Sequence, residues 1–248
     1  MEVSYSKEFF DEMEKSNLAS ARAVIPFVMD FTSPKSVIDI GCGRGLWLKA
    51  FQEAGIDRVE GFDGEYVDRE HLAIPKERFH AVNLELPLTV NAAFDLAVCL
   101  EVAEHLPAAC ANILIDNLTS VAPIVLFSAA IPLQGGSHHV NEQWPAYWEA
   151  KFKVKGYVPV DAIRRRVWDD KRVSFFYAQN ILIYIKESEL SKYPKLQKEI
   201  ETGHGHALPL VHPFIFTYYS ERWRLVVPYL GKIPPGLLKG LKRILQRG

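Results

Sequence analysis

Short β-branched apolar runs alternate along most of the chain with stretches whose apolar residues recur at helical spacing. From about Lys7 to Asp30 the spacing of Leu18, Val24, Ile25, Phe27 and Val28 predicts a helix, and Pro34 ends that region. SVIDI, Ser36 to Ile40, reads as a first strand, and the helical LWLKAFQEAG that follows stops at Gly55. RVEGFD, ending at Asp63, predicts a second strand, Arg78 to Val82 a third, and Phe94 to Leu100 a fourth that is apolar enough for burial on both faces. Pro107 to Val121 reads as a helix and PIVLFSAA as a fifth strand. Asn141 is placed to cap a helix through WPAYWEAKF, with Pro145 in its first turn. GYVPV predicts a sixth strand, and the apolar run from Val173 to Ile185 a long seventh.

Alternation of strands and helices implies crossover connections, hence an α/β fold with a mostly parallel sheet covered by helices on both faces. No internal repeat or low-complexity tract interrupts it. After Lys186 the pattern changes to charged residues and scattered prolines, which divides the chain into a domain at 1–186, opened by a helical lid, and a C-terminal extension at 187–248.

Composition narrows the function classes. Among 248 residues, 48% are hydrophobic, and 29 basic side chains balance 30 acidic ones for a net charge of −1. A chain this apolar and this neutral is neither disordered nor built to grip nucleic acid over a wide basic face. The most apolar segment, Val121 to Leu133, holds two prolines and a serine and is too short to cross a bilayer. The polar, acidic opening MEVSYSKEFFDEMEKS does not read as a signal peptide. Three cysteines, Cys42, Cys99 and Cys110, suit a reducing cytoplasm.

The strongest motif is VIDIGCGRG, Val37 to Gly45, in which a buried strand feeds a glycine turn and a helix. Glycine there allows positive φ and close approach of a ligand to the backbone. Asp63, at the end of the second strand, can accept from both hydroxyls of a ribose. A plain tight turn or a nicotinamide-nucleotide loop are the alternatives, although the spacing departs from G-x-G-x-x-G.

VIDIGCGRG together with FDLAVCLEVAEHLP resembles the first and fourth-strand motifs of class I S-adenosylmethionine-dependent methyltransferases. That resemblance covers roughly residues 20 to 186. It implies a Rossmann-like seven-stranded sheet with the last strand antiparallel and S-adenosyl-L-methionine as methyl donor. Asp39, Gly41, Cys42 and Gly43 would line its methionine part, Asp63 its ribose, and Asn83 and Leu84 its adenine. Many relatives carry aspartate where this chain has Asn83, whose side-chain oxygen can still accept from the adenine amino group.

An aliphatic hydroxyl acceptor needs a base or a Lewis-acid metal to lose its proton. Glu101, Glu104 and His105 would share one face if a helical turn began there, and His138 and His139 follow the fifth strand at the same rim. The pattern resembles the Glu-x-x-Glu-His plus downstream His of metal-assisted small-RNA 3′-terminal 2′-O-methyltransferases, and a similar run occurs in ubiquinone-pathway O-methyltransferases. The resemblance implies a divalent ion such as Mg2+ on Glu101, Glu104, His105 and His139, with His138 as substitute. His139 as a metal-free base, or a structural Glu-His pair, are the other readings.

Trp144, Tyr147 and Trp148 fall at i, i+3 and i+4, a spacing that serves core packing or an acceptor platform. GGSHHVNEQWPAYWEAKF and VWDDKRVSFFYAQNILIYI also resemble methyltransferases of bacterial polysaccharide and glycoconjugate biosynthesis, which implies a sugar hydroxyl as acceptor. Arg164, Arg165 and Arg166 read as a solvated loop or a phosphate contact, Arg22 as a candidate for the donor's carboxylate, and His204 and His206 as a flexible solvated loop, with a metal pair as the alternative. In the tail, Leu237, Leu238, Leu241, Ile244 and Leu245 align on one helical face with basic residues elsewhere, suiting packing or a weak peripheral membrane contact. The reading is an O-methyltransferase acting on a glycan or small molecule. N- or C-methylation, RNA-end methylation and a non-catalytic partner protein stay open as alternatives.

Overall fold

The computed structural model describes residues 7–230, with side chains from 14 to 221. Helix α1 (Lys7–Thr32) precedes β1 (Ser36–Ile40), α2 (Leu46–Glu53), β2 (Arg58–Asp63), β3 (Phe79–Ala81), β4 (Leu96–Leu100), α3 (Ala111–Val121) and β5 (Ile124–Ser128). Then come α4 (Pro145–Val154), β6 (Tyr157–Val160), α5 (Arg164–Val167), α6 (Phe175–Asn180), β7 (Leu182–Lys186), α7 (Pro194–Glu199) and α8 (Pro213–Leu230). The strands form one sheet in the order β3-β2-β1-β4-β5-β7-β6. Only β7 runs antiparallel to its neighbours, pairing Ile124 with Ile185 on one side and Tyr157 with Lys186 on the other.

β1, β4 and β5 are buried at every position, as their unbroken apolar runs require. Alternation then sends neighbours to opposite faces. Val37, Leu96 and Val98 meet Val24 and Val28 of α1 and Leu48 and Phe51 of α2. Ile38, Ala97, Cys99 and Phe127 meet Leu114 and Leu118 of α3 and Trp148 and Phe152 of α4. The order reverses between β1 and β4, and such a switch point opens a crevice beyond the carboxyl ends of the strands.

Three elements differ from the sequence expectation. The run from Val173 to Ile185 is not one long strand: β7 takes five residues and α6 the six before Ile181. A strand would point Gln179 and Asn180 to opposite faces, whereas α6 lets both amides reach one polar cluster beside Glu101. The helix expected from Pro107 begins at Ala111, after single 3-10 turns at Ala103–His105 and Ala108–Cys110. Asn141 does not cap α4. Trp144 holds that position and Pro145 opens the helix, while Asn141 is buried and donates to the Ala103 carbonyl at 3.4 Å.

The chain divides into two compact units, Met1–Leu210 and Val211–Gly248. Within the first, α7 places Leu196 in the core with no exposed surface. In the second, α8 carries exposed Phe214 and Phe216. The expected amphipathic tail face, Leu237 to Leu245, lies outside the described residues. No described helix is long and apolar enough to cross a membrane.

Candidate active site

The turn after β1 is shaped by two backbone bonds from Gly41 N and Cys42 N to the Phe62 carbonyl, at 2.7 and 3.2 Å. They tie it to the end of β2. Gly41 and Gly43 take φ of 91° and 52°. A Cβ on Gly41 would lie 2.3 Å from Val102, so close packing of the β4 loop requires glycine there. A Cβ on Gly43 would meet nothing within 4 Å, so that position faces open space.

Asp63 ends β2 beside this turn. Its carboxylate accepts from Gly43 N and Gly64 N, each at 2.6 Å, and from the Tyr66 hydroxyl. A carboxylate has about four acceptor positions. The third partner, Tyr66, is 83% exposed. Val82 N donates to the Asp63 carbonyl at 2.8 Å, which brings Asn83 and Leu84 to the same edge. Asn83 is exposed and its side-chain oxygen accepts from Glu85 N, while Leu84 is buried in the core. Asp39 is buried in β1, and burial, then the charge of Asp63, holds its carboxyl well above the usual range. Burial likewise pushes the Cys42 thiol up, helped by Asp39 and Asp63, so this cysteine is not a thiolate nucleophile.

The second group lies beyond β4 and β5. Val140 N and Asn141 N both donate to the Glu104 carbonyl, at 2.8 and 3.0 Å, which pins the histidine loop onto the 3-10 turn. Glu104, His105 and His139 thereby converge, with one ligand atom from each within 4.8 Å of the others. The His105 and His139 rings meet edge to face at 4.9 Å. His138, with φ of 59°, points outward and is exposed.

Glu101 does not join the trio. Its left-handed φ of 54° puts it outside the turn, so the shared helical face foreseen for Glu101, Glu104 and His105 does not form. Its carboxylate instead accepts from Asn180 Nδ2 at 3.1 Å and Gln134 Nε2 at 2.8 Å. Burial raises the pKa of both glutamates. Glu104 is pushed up to about 9 by burial and then by Glu101, so it carries a proton at neutral pH. Glu104 Oε2 is buried and has no hydrogen-bond partner among the described residues.

Other sequence candidates serve the fold. Arg164 is fully buried rather than solvated, in a two-pronged pair with Asp161 at 2.7 and 3.0 Å that also reaches the Gln179 and Leu208 carbonyls. Arg165 and Arg166 converge on Glu199. His204 is bonded to Arg165 and Thr202 and is no free loop residue. Arg22 spends its guanidinium on Glu53 and is engaged away from the glycine turn. Trp148 is core, whereas Trp144 is 43% exposed at the start of α4. Sequence reasoning missed Gln134, Asn180, Glu142 and Tyr66: Gln134 and Tyr66 lie outside the quoted segments, and Glu142 and Asn180 lie inside them without being singled out.

Residues 13–169 match a family model described as a methyltransferase domain, and the chain belongs to that family. No curated protein matches the chain. Among solved structures, DesVI of Streptomyces venezuelae superposes with a TM-score of 0.57 at 12% identity, covering 72% of this chain and 95% of that one. The magnesium protoporphyrin IX methyltransferase of Synechocystis, with S-adenosylhomocysteine bound, gives 0.52 at 19%, covering 75% and 90%. An amino pentose methyltransferase of Micromonospora echinaspora, with S-adenosylmethionine bound, gives 0.50 at 13%, covering 75% and 99%. At these identities the likeness establishes the class I methyltransferase fold. The protein is an S-adenosylmethionine-dependent methyltransferase.

Proposed function

We propose that this methyltransferase acts on a hydroxyl of a sugar, glycan or comparable small molecule, assisted by a divalent transition-metal cation such as Mn2+ at Glu104, His105 and His139. The observation that carries the proposal is the partnerless buried Oε2 of Glu104 beside two imidazoles. Leaving a buried polar atom unpaired costs about 1–3 kcal/mol. Binding a cation must displace the proton that burial holds on Glu104, and the resulting carboxylate with two imidazoles is a donor set that first-row transition ions accept.

In the donor cradle, Gly43 offers unfilled space and Asp63 an acceptor edge for the ribose, with Tyr66 giving way. Asp39, Gly41 and Cys42 would line the methionine part, and Asn83 and Leu84 the adenine. Bound there, the donor supplies a methyl carbon already activated on a sulfonium. The C–S bond breaks as the O–C bond forms, S-adenosylhomocysteine leaves, and the acceptor's proton passes to solvent. A cation on Glu104, His105 and His139 would acidify that hydroxyl as a Lewis acid. Glu101, fixed by Asn180 and Gln134, stands beside Glu104 and holds the rim. Exposed Trp144, directly after the histidine loop, offers a face for a sugar ring.

The alternative without metal keeps His139 as base, and the hydrogen bond at its Nδ1 favours that role because it leaves Nε2 to take the proton. Glu104→Ala and His139→Ala are each expected to abolish turnover while S-adenosylhomocysteine still binds. Loss of activity in EDTA with recovery on adding Mn2+ supports the cation; full activity in EDTA removes it and leaves the base. Near-normal turnover of His139→Ala refutes both versions.

Residues 211–248 hold seven basic side chains against one acidic, in a chain whose net charge is −1. This charge supports peripheral contact with an anionic membrane surface through the tail. Co-sedimentation of the full chain with anionic but not zwitterionic vesicles tests it.

A further inference from the structure

His139 owes its place to one acidic side chain, Glu142, three residues further along the same loop. Glu142 Oε1 lies 2.9 Å from His139 Nδ1. The same carboxylate accepts two loop amides, Leu133 N at 2.8 Å and Gly135 N at 2.9 Å. One group three residues past the histidine thus closes the whole loop after β5 and grips the ring at its far nitrogen.

The loop is not at rest in this shape without a clamp. Leu133 and His138 both adopt left-handed φ, 69° and 59°, although neither is glycine. Each such residue costs about 1–2 kcal/mol. The space at the other end of the ring is equally specific. A Cβ on Gly136 would fall 2.2 Å from His139 Nε2, so a side chain there would evict the imidazole. Glycine at 136 makes room for the Nε2 edge of the ring, and Glu142 occupies Nδ1. His139 and Glu142 are largely buried, with 12% and 20% of their side chains exposed, so water competes weakly for this bond.

We propose that Glu142 is the positioning residue of the site: its carboxylate fixes His139 in the tautomer that carries its proton on Nδ1, leaving Nε2 unprotonated and available. The inference rests on His139 working in methyl transfer, as a ligand or as a base, since either role requires that free nitrogen. Carboxylates that fix a histidine in this way commonly account for 10–100-fold in metal affinity or activity, a range of about 10–100. No atom is transferred to Glu142 itself.

The test reads the tautomer directly. Nitrogen-15 spectra of the histidine rings are recorded for the full-length wild type and for Glu142→Ala, Glu142→Gln and His139→Ala, the last to assign the signal, at a pH where the rings are neutral. The wild type is expected to show His139 with a protonated Nδ1 and a bare Nε2. Glu142→Ala is expected to shift His139 toward the Nε2-protonated form, and Glu142→Gln, whose side-chain oxygen can still accept from Nδ1, to retain much of the wild-type pattern. Turnover should fall about 10–100-fold in Glu142→Ala, with S-adenosylhomocysteine affinity unchanged and partial rescue in Glu142→Gln. A wild-type His139 protonated on Nε2, or a Glu142→Ala spectrum that matches the wild type, overturns the proposal. The spectra read the pair whether or not the chain methylates a hydroxyl, so a tautomer that behaves as expected in a protein inactive toward sugars would overturn the acceptor reading alone.

Discussion

Gly43→Ala separates the donor cradle from the fold around it. The new methyl meets no atom within 4 Å, so the substitution adds no clash to the protein itself. Its cost to stability is the left-handed conformation at φ 52°, which an alanine adopts at about 1–2 kcal/mol. If the open space is where the donor lies, the same methyl intrudes on the ligand. Overpacking a fitted site costs about 1–3 kcal/mol, which is about 5–150-fold in affinity. Gly41→Ala is the contrasting control, because its Cβ would strike Val102 at 2.3 Å and damage the fold first. The assay pairs urea denaturation with calorimetric titration of S-adenosylhomocysteine. Gly43→Ala should stay folded and bind weakly. Wild-type affinity in a folded Gly43→Ala protein would refute the placement of the donor over this turn.

Two further outcomes follow from buried charges. Glu104 has its pKa raised from near 4.5 to about 9, so the folded state holds a proton that the unfolded chain releases in between. The associated stability is complete below about 4.5 and is lost as pH rises through about 9. Metal-free wild type should therefore lose more stability between pH 6 and pH 9 than Glu104→Gln, whose amide does not titrate; parallel urea-denaturation profiles would contradict the assignment. Arg164→Met strands Asp161 in the interior, and breaking such a buried pair costs about 3–5 kcal/mol. Urea denaturation reads it, and a loss below about 1 kcal/mol would show that the pair is not a dry, fixed one.

What the sequence disclosed, and what it withheld, follows from the range over which each signal acts. The strands β1, β4 and β5 were legible because burial on both faces writes an unbroken apolar run into consecutive residues. The glycine turn was legible for the same reason, since it follows β1, and Asp63 because it closes the short strand β2 next along the chain. The break between α6 and β7 was not. SFFYAQNILIYI is apolar at both helical and strand spacing, and what decides it is a pair of amides reaching Gln134 and Glu101, 45 and 79 positions away. The convergence of Glu104, His105 and His139 was half visible. Residue types and rim were foreseen, but the separation of Glu101 from the trio depends on one left-handed backbone angle. Arg164 looked like surface because three arginines in a row do, and only its partner Asp161, buried beside it, draws it inside.

The account stands on donor and cation sharing one rim of the sheet. Crystals of the full chain grown with S-adenosylhomocysteine and Mn2+ test it in one experiment. The account predicts the thioether against Gly41 and Gly43, the ribose on Asp63, and an anomalous scattering peak bounded by Glu104, His105 and His139. Electron density for the thioether in that cradle with no anomalous signal between those three side chains would contradict it.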